Sequence, residues 1–175
     1  DYFDDFGDDA TRSKQTATWL KTSLKDPKRI HLIGNHDMQY LVDVLTGYYD
    51  CPGWNRDKHN AINSIIQKRD WALLRACHYT QGWMLSHAGF SYPVVAHPVK
   101  GVPTPDQLVQ EAAKGLSDAK KGNWNKYFVA GYRMATPFEG GITWAHWDGE
   151  FIPIVDMPQI VGHTPATFVK ARRVT

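Results

Sequence analysis

The chain has 175 residues, of which 42% are hydrophobic and 22% charged, enough for one globular domain with a core of its own. That composition excludes a collagen, a coiled coil and low-complexity disorder, and no apolar run approaches the 18 residues of a membrane span. Twenty basic against eighteen acidic residues give a net charge of +2, too balanced for a nucleic acid or an anionic membrane to be the default partner.

The opening residues 1–10 are acidic and aromatic. Ala17, Leu20 and Leu24 then recur at helical spacing, predicting a helix over residues 11–25 that Asp26-Pro27 ends. Asp8 and Asp9 complement the dipole of that helix at its start. Residues 29–33 read as a short strand stopped by Gly34, and residues 37–45 as a short helix. Residues 48–55, with Pro52 and Gly53, read as a loop. A long helix is expected over residues 57–79, with Ile62, Ile65, Ile66, Leu73 and Leu74 on its inner face.

Residues 82–86 read as a buried strand, and residues 94–105 as a loop rich in proline and valine. Thr104, Pro105 and Gln107 form a capping box with proline at the first helical position, opening a helix to about Lys121. Residues 142–144, 151–154 and 159–161 read as short strands. Helices and strands alternate early and strands cluster late, which predicts an α/β fold with two layers of sheet in a single domain.

Four short segments carry side chains suited to metal ligation. They are Asp1 and Asp4 in Asp-Tyr-Phe-Asp, then Asn35, His36 and Asp37 in Gly-Asn-His-Asp, then His87 in Ser-His-Ala-Gly, then His163 in Gly-His-Thr-Pro. All four are read as lying just after apolar strands, where α/β sheets place ligands. Glycine beside each histidine lets backbone approach closely. Mixed nitrogen and oxygen donors suit zinc, iron or manganese better than calcium.

In order and rough spacing this set resembles the calcineurin-like metallophosphoesterases, including the serine/threonine phosphoprotein phosphatases, along nearly the whole chain from Asp1 to Pro165. The resemblance implies a two-layer mixed β-sheet sandwich flanked by helices. It implies hydrolysis of phosphate esters by a metal-bound hydroxide, with two divalent ions in the full-length parent. It assigns Asp1, Asn35, His87 and His163 as metal ligands, His36 as the general acid and Asp4 as the carboxylate that orients His36. The family's Asp-x-His segment would fall before Asp1, so the expectation is a domain incomplete at its N-terminus, lacking its first strands and weakly active. The phosphoprotein phosphatases carry Arg-Gly where Asp5-Phe6 stands here; Arg133 is the candidate anion clamp in its place.

The expected partner is a phosphorylated substrate, with no membrane and with nucleic acid disfavoured by the balanced charge, and the expected compartment is the cytoplasm, where Cys51 and Cys77 stay reduced. The other reading is an inactive remnant of the fold that binds one metal or a protein partner. His31, His59, His78, His97 and His146 are assigned packing or surface roles. Trp19, Trp71 and Trp83 are assigned to the core, and Trp54 and Trp147 to substrate contact.

Overall fold

A computed structural model of the chain describes residues 1–5, 7–41, 51–96, 99, 101–131 and 139–171. The fold is mixed α/β, and the chain divides into two compact units, Asp1–Arg75 and Ala76–Thr175.

The first unit is mainly helical. Helix α1 (Ala10–Ser23) starts where the Asp9 carboxylate accepts the Arg12 amide at 2.8 Å, the capping role that acidic residues fill at a helix start. Ala17 and Leu20 are fully buried on its inner face as their spacing predicts, while Leu24 is half-buried. Helix α2 (Asn35–Leu41) begins two residues before the predicted start, and residues 42–45 of that prediction lie outside the described residues. Its early start has a local cause: Asp37, in the first turn, reaches back to accept the Gly34 amide at 2.9 Å.

The predicted strand over residues 29–33 reduces to one parallel bridge, Leu32 with Arg75. Arg29 cannot join a ladder, because its amide is taken by the Asp26 carbonyl at 3.1 Å in a turn.

The long helix expected over residues 57–79 is instead three elements. Helix α3 (Arg56–Asn63) is capped by Asn55, whose side chain accepts the Lys58 amide at 2.9 Å. Just beyond it the Ser64 hydroxyl donates to the Ala61 carbonyl at 2.7 Å, a local bond that competes with helix continuation. Helix α4 (Lys68–Trp71) restarts on a reciprocal cap between Gln67 and Asp70. Ile62 and Ile66 are both buried across the break, so helical spacing survives where the helix does not. Leu73, expected inside, is 53% exposed. Helix α3 packs on α1, and Lys21 donates to the Ile65 carbonyl at 2.6 Å.

The second unit is built on a three-stranded sheet in the order β1-β2-β3. Strand β1 (Cys77–Thr80) runs antiparallel to β2 (Trp83–Ser86) in the register Cys77–Ser86 to Thr80–Trp83. Gln81 and Gly82 join them with φ of +48° and +80°. Positive φ at both central residues marks the two-residue turn whose twist matches a hairpin. This turn converts the end of the expected helix into a strand. Helix α5 (Tyr92–Val95) is short and falls partly in the expected 94–105 loop.

Helix α6 (Pro105–Ala119) begins at Thr104 as read, with both bonds of the capping box formed, and packs against β1. Strand β3 (Gln159–Ile160) lies parallel to β2, within the expected 159–161 strand. The segments 142–144 and 151–154 are not strands. The Trp144 amide bonds the Gly141 carbonyl at 2.9 Å and the Phe151 amide the His146 carbonyl at 3.0 Å in local turns, while the Ile142 amide goes to the Tyr127 carbonyl and the Ile152 amide to the Ser91 hydroxyl, each at 2.9 Å, so no ladder forms. Among the described residues there is thus one sheet where two layers were expected. Met84, Phe90, Leu108, Phe128 and Ile142 form the core of this unit.

Of the three tryptophans assigned to the core, Trp71 is buried, but Trp19 and Trp83 are 53% and 45% exposed. Among the described residues no helix is long and apolar enough to cross a membrane.

Candidate functional site

In the first unit the carboxylate of Asp4 gathers four donors. Tyr40 Oη donates to Oδ1 at 2.6 Å and Lys58 Nζ donates to it at 2.7 Å. Gln39 Nε2 donates to Oδ2 at 2.5 Å, and His36 Nδ1 lies 3.3 Å from the same oxygen. A carboxylate has about four lone-pair sites, so this one is saturated. The Asp4 side chain is fully buried and that of Lys58 nearly so, while the His36 side chain keeps 22% exposure.

Burial pushes the Asp4 pKa up, but hydrogen bonds from His36, Lys58 and Tyr40 and the Lys58 charge together outweigh it and hold the group below its ordinary value. Burial, followed by the bond to Asp4, raises the Tyr40 hydroxyl far above the usual tyrosine range and keeps it a donor. Asp4 itself sits at φ +69°, a left-handed conformation uncommon for a non-glycine residue. An ionised carboxylate only accepts, so His36 must present N–H from Nδ1, which leaves Nε2 as the nitrogen facing away.

Helix α2 explains this convergence. His36, Gln39 and Tyr40 stand at positions i, i+3 and i+4 and therefore share one face. The opening segment is tied to the start of the same helix. Asp37 is fully buried, and its carboxylate accepts the Tyr2 amide at 2.8 Å as well as that of Gly34. It is therefore a structural anchor and not one of the metal-binding side chains it was grouped with. Asp1 Oδ1 accepts the His36 amide at 3.0 Å. A Cβ on Gly34 would lie 2.0 Å from that oxygen, so Gly34 is what lets Asp1 approach. Asn35, at the start of α2, is 2% exposed, with its amide 3.5 Å from the Cys51 sulfur.

The second unit brings His87 and His163 together. His87 follows β2 and His163 follows β3, and the Gly162 amide donates to the His87 carbonyl at 2.8 Å. Their ring nitrogens, Nε2 of His87 and Nδ1 of His163, are 3.1 Å apart. His163 stands at φ +65°. Backbone strain of this kind is found preferentially at functional sites.

Two nitrogens on one ion at about 2.0–2.1 Å are about 2.8–3.4 Å apart for angles between a right angle and the tetrahedral angle. The observed spacing lies in that range, as it does in the range of an N–H···N bond. A pair of imidazole nitrogens suits a divalent transition metal in chemistry. A Cβ on Gly89, at φ +102°, would meet the Phe151 ring at 2.4 Å, whereas one on Gly162 would meet nothing nearer than 3.7 Å.

No family model, curated protein or solved structure matches this chain.

Of the predicted site residues, Asp4 and His36 are brought together in one unit, and His87 and His163 in the other. Arg133 lies outside the described residues, as does His97. Lys58, Gln39 and Tyr40 were not singled out from the sequence. The last two had a legible signal, their shared helix face with His36. Lys58 had none, since 54 residues separate it from Asp4.

The histidines assigned to packing include a clear case. His31 is buried between Tyr2 Oη at 2.9 Å and Ser23 Oγ at 3.0 Å, which occupy its two nitrogens. Trp54 is half-buried beneath Arg56, and Trp147 stacks on Phe151 at 5.1 Å between ring centroids.

Proposed function

We propose that this protein hydrolyses phosphate esters with the aid of a bound divalent metal ion, His36 donating the proton that the leaving oxygen takes up. The observation that carries the reading is the pair His36–Asp4, in which a partly exposed imidazole is backed at Nδ1 by a buried carboxylate. Such a partner fixes the tautomer and ring orientation and leaves Nε2 to hold or give a proton.

The ligand assignment of Asp1, Asn35, His87 and His163 is the one the sequence resemblance implies. When bound, a manganese, iron or zinc ion supplies Lewis acidity toward a phosphoryl oxygen and an activated water. The two-layer metallophosphoesterase sandwich, a second ion, an anion clamp at Arg133 and a cytoplasmic setting belong to the same reading.

Turnover of a generic aryl phosphate with and without manganese tests it, beside His36→Ala. The expected result is metal-dependent release of the aryl alcohol, reduced about 10²–10⁴-fold by His36→Ala. Turnover that ignores both manganese and the substitution would refute the reading. Metal binding without turnover would favour the inactive metal-binding remnant instead.

A further inference from the structure

The role of Asp4 depends on where its two oxygens point. One oxygen, Oδ2, faces His36 and Gln39; the other, Oδ1, is held by Tyr40 and Lys58. Three of the four donors come from α2, the helix that carries His36 itself. They can move with His36 and so cannot fix the carboxylate against it. Lys58 alone comes from a different element, α3.

Lys58 is also an unusual residue to find buried. Only 3% of its side chain is exposed, in a helix whose other residues are mostly solvated. Lysine is almost never this buried unless it is paired, and here the pair is a carboxylate at 2.7 Å that is itself fully buried. Gly53 lies against Asp4, where any larger residue would press on it: an added Cβ would stand 3.1 Å from Asp4 Cβ.

We propose that Lys58 is a positioning residue for His36: its ammonium seats on one oxygen of Asp4 and so aims the other at the imidazole. The chemical importance of the aim rests on the proposed role of His36, but the aim itself is a property of the folded chain and can be read without substrate. With Lys58 removed, Tyr40 and Gln39 would still bond the carboxylate, but among the described residues no hydrogen bond from outside α2 would set its angle to the ring. His36 would then lose its single Nδ1–H tautomer.

The test is ¹⁵N nuclear magnetic resonance of the His36 ring at a pH where it is neutral, together with aryl phosphate kinetics, on the full chain. The wild type is expected to show one tautomer, with N–H at Nδ1. Lys58→Met is expected to show a mixture, with kcat ten- to hundredfold lower and KM within about twofold, the scale seen when an outer partner of a site residue is removed. Lys58→Arg is expected to recover most of both. A folded Lys58→Met with the tautomer unchanged would overturn the proposal and leave Lys58 a purely structural ion-pair partner.

Tyr40→Phe decides the case if Lys58→Met does not fold, because it removes a donor from the same oxygen without leaving a charge unpaired. The proposal expects Tyr40→Phe to keep the Nδ1–H tautomer, since Lys58 remains seated. A mixed tautomer in Tyr40→Phe would show that the tyrosine sets the angle, and would overturn it. A wild type with no manganese-dependent turnover would sink the functional reading, while the tautomer readout would still decide the role of Lys58.

Discussion

The two units fix their candidate residues by different means. In the first, side chains do it: four donors, His36 among them, fill the acceptor sites of Asp4. In the second, backbone does it: the Gly162 amide on the His87 carbonyl joins the two loops, and Gly89 yields its Cβ space to Phe151. The first unit should therefore be sensitive to charge and the second to shape. A polar network in a buried place is costly to leave half-made, whereas a backbone-built loop tolerates any side chain that fits.

Substitutions can break that contrast, and the largest effect expected is on stability from Asp4→Asn. It leaves the Lys58 ammonium buried without its counter-charge, and removing one partner of a buried pair costs about 3–5 kcal/mol. Chemical denaturation would measure it. The same pair gives a pH signature. The Asp4 pKa is lowered in the folded state, so its contribution is present above the unfolded value of about 3.9 and is lost as pH falls through the lower folded value. Melting curves from pH 6 down to pH 2 should show that loss in the wild type and should lose this component in Asp4→Asn.

In the second unit the expected losses come from shape. Gly89→Ala puts a Cβ at 2.4 Å from Phe151 with the backbone at φ +102°, and should cost at least about 1–3 kcal/mol in a thermal melt. Gln81→Asn should do the opposite. Gln81 holds φ +48° in the hairpin turn, and asparagine tolerates that region better, so a gain of roughly 0.5 kcal/mol is expected. Smallest of all should be Gly162→Ala. It has ordinary van der Waals space, so stability should stay within about 0.5 kcal/mol despite the glycine's place beside His163. A large loss there would mean that the loop is not held as described.

The contrast also governs what could be read from the sequence. The caps are local, and Asp9, Thr104 and Gln107 all act where their residue types place them. The pair His36–Asp4 was legible only through the family resemblance, which assigned both roles. The break between α3 and α4 was not, because Ile62 and Ile66 keep helical spacing through it. The β1–β2 hairpin was hidden by its turn, since Gln-Gly is a weaker signal than Asn-Gly. The segments 142–144 and 151–154 have strand-like composition, but their amides go to local turns at Trp144 and Phe151 and to single distant partners at Ile142 and Ile152. Lys58 was beyond reach, because nothing in a helix start announces a partner 54 residues away.

The most direct test of the central claim, that His36 protonates the leaving oxygen, is the leaving-group dependence of turnover. Wild type and His36→Ala would be compared, with manganese, over aryl phosphates whose alcohols span several pKa units. The account predicts that the loss from His36→Ala is small for the most acidic alcohol and grows steadily with alcohol basicity. An equal loss across the series would contradict it, and would give His36 a role in binding or structure in place of proton donation.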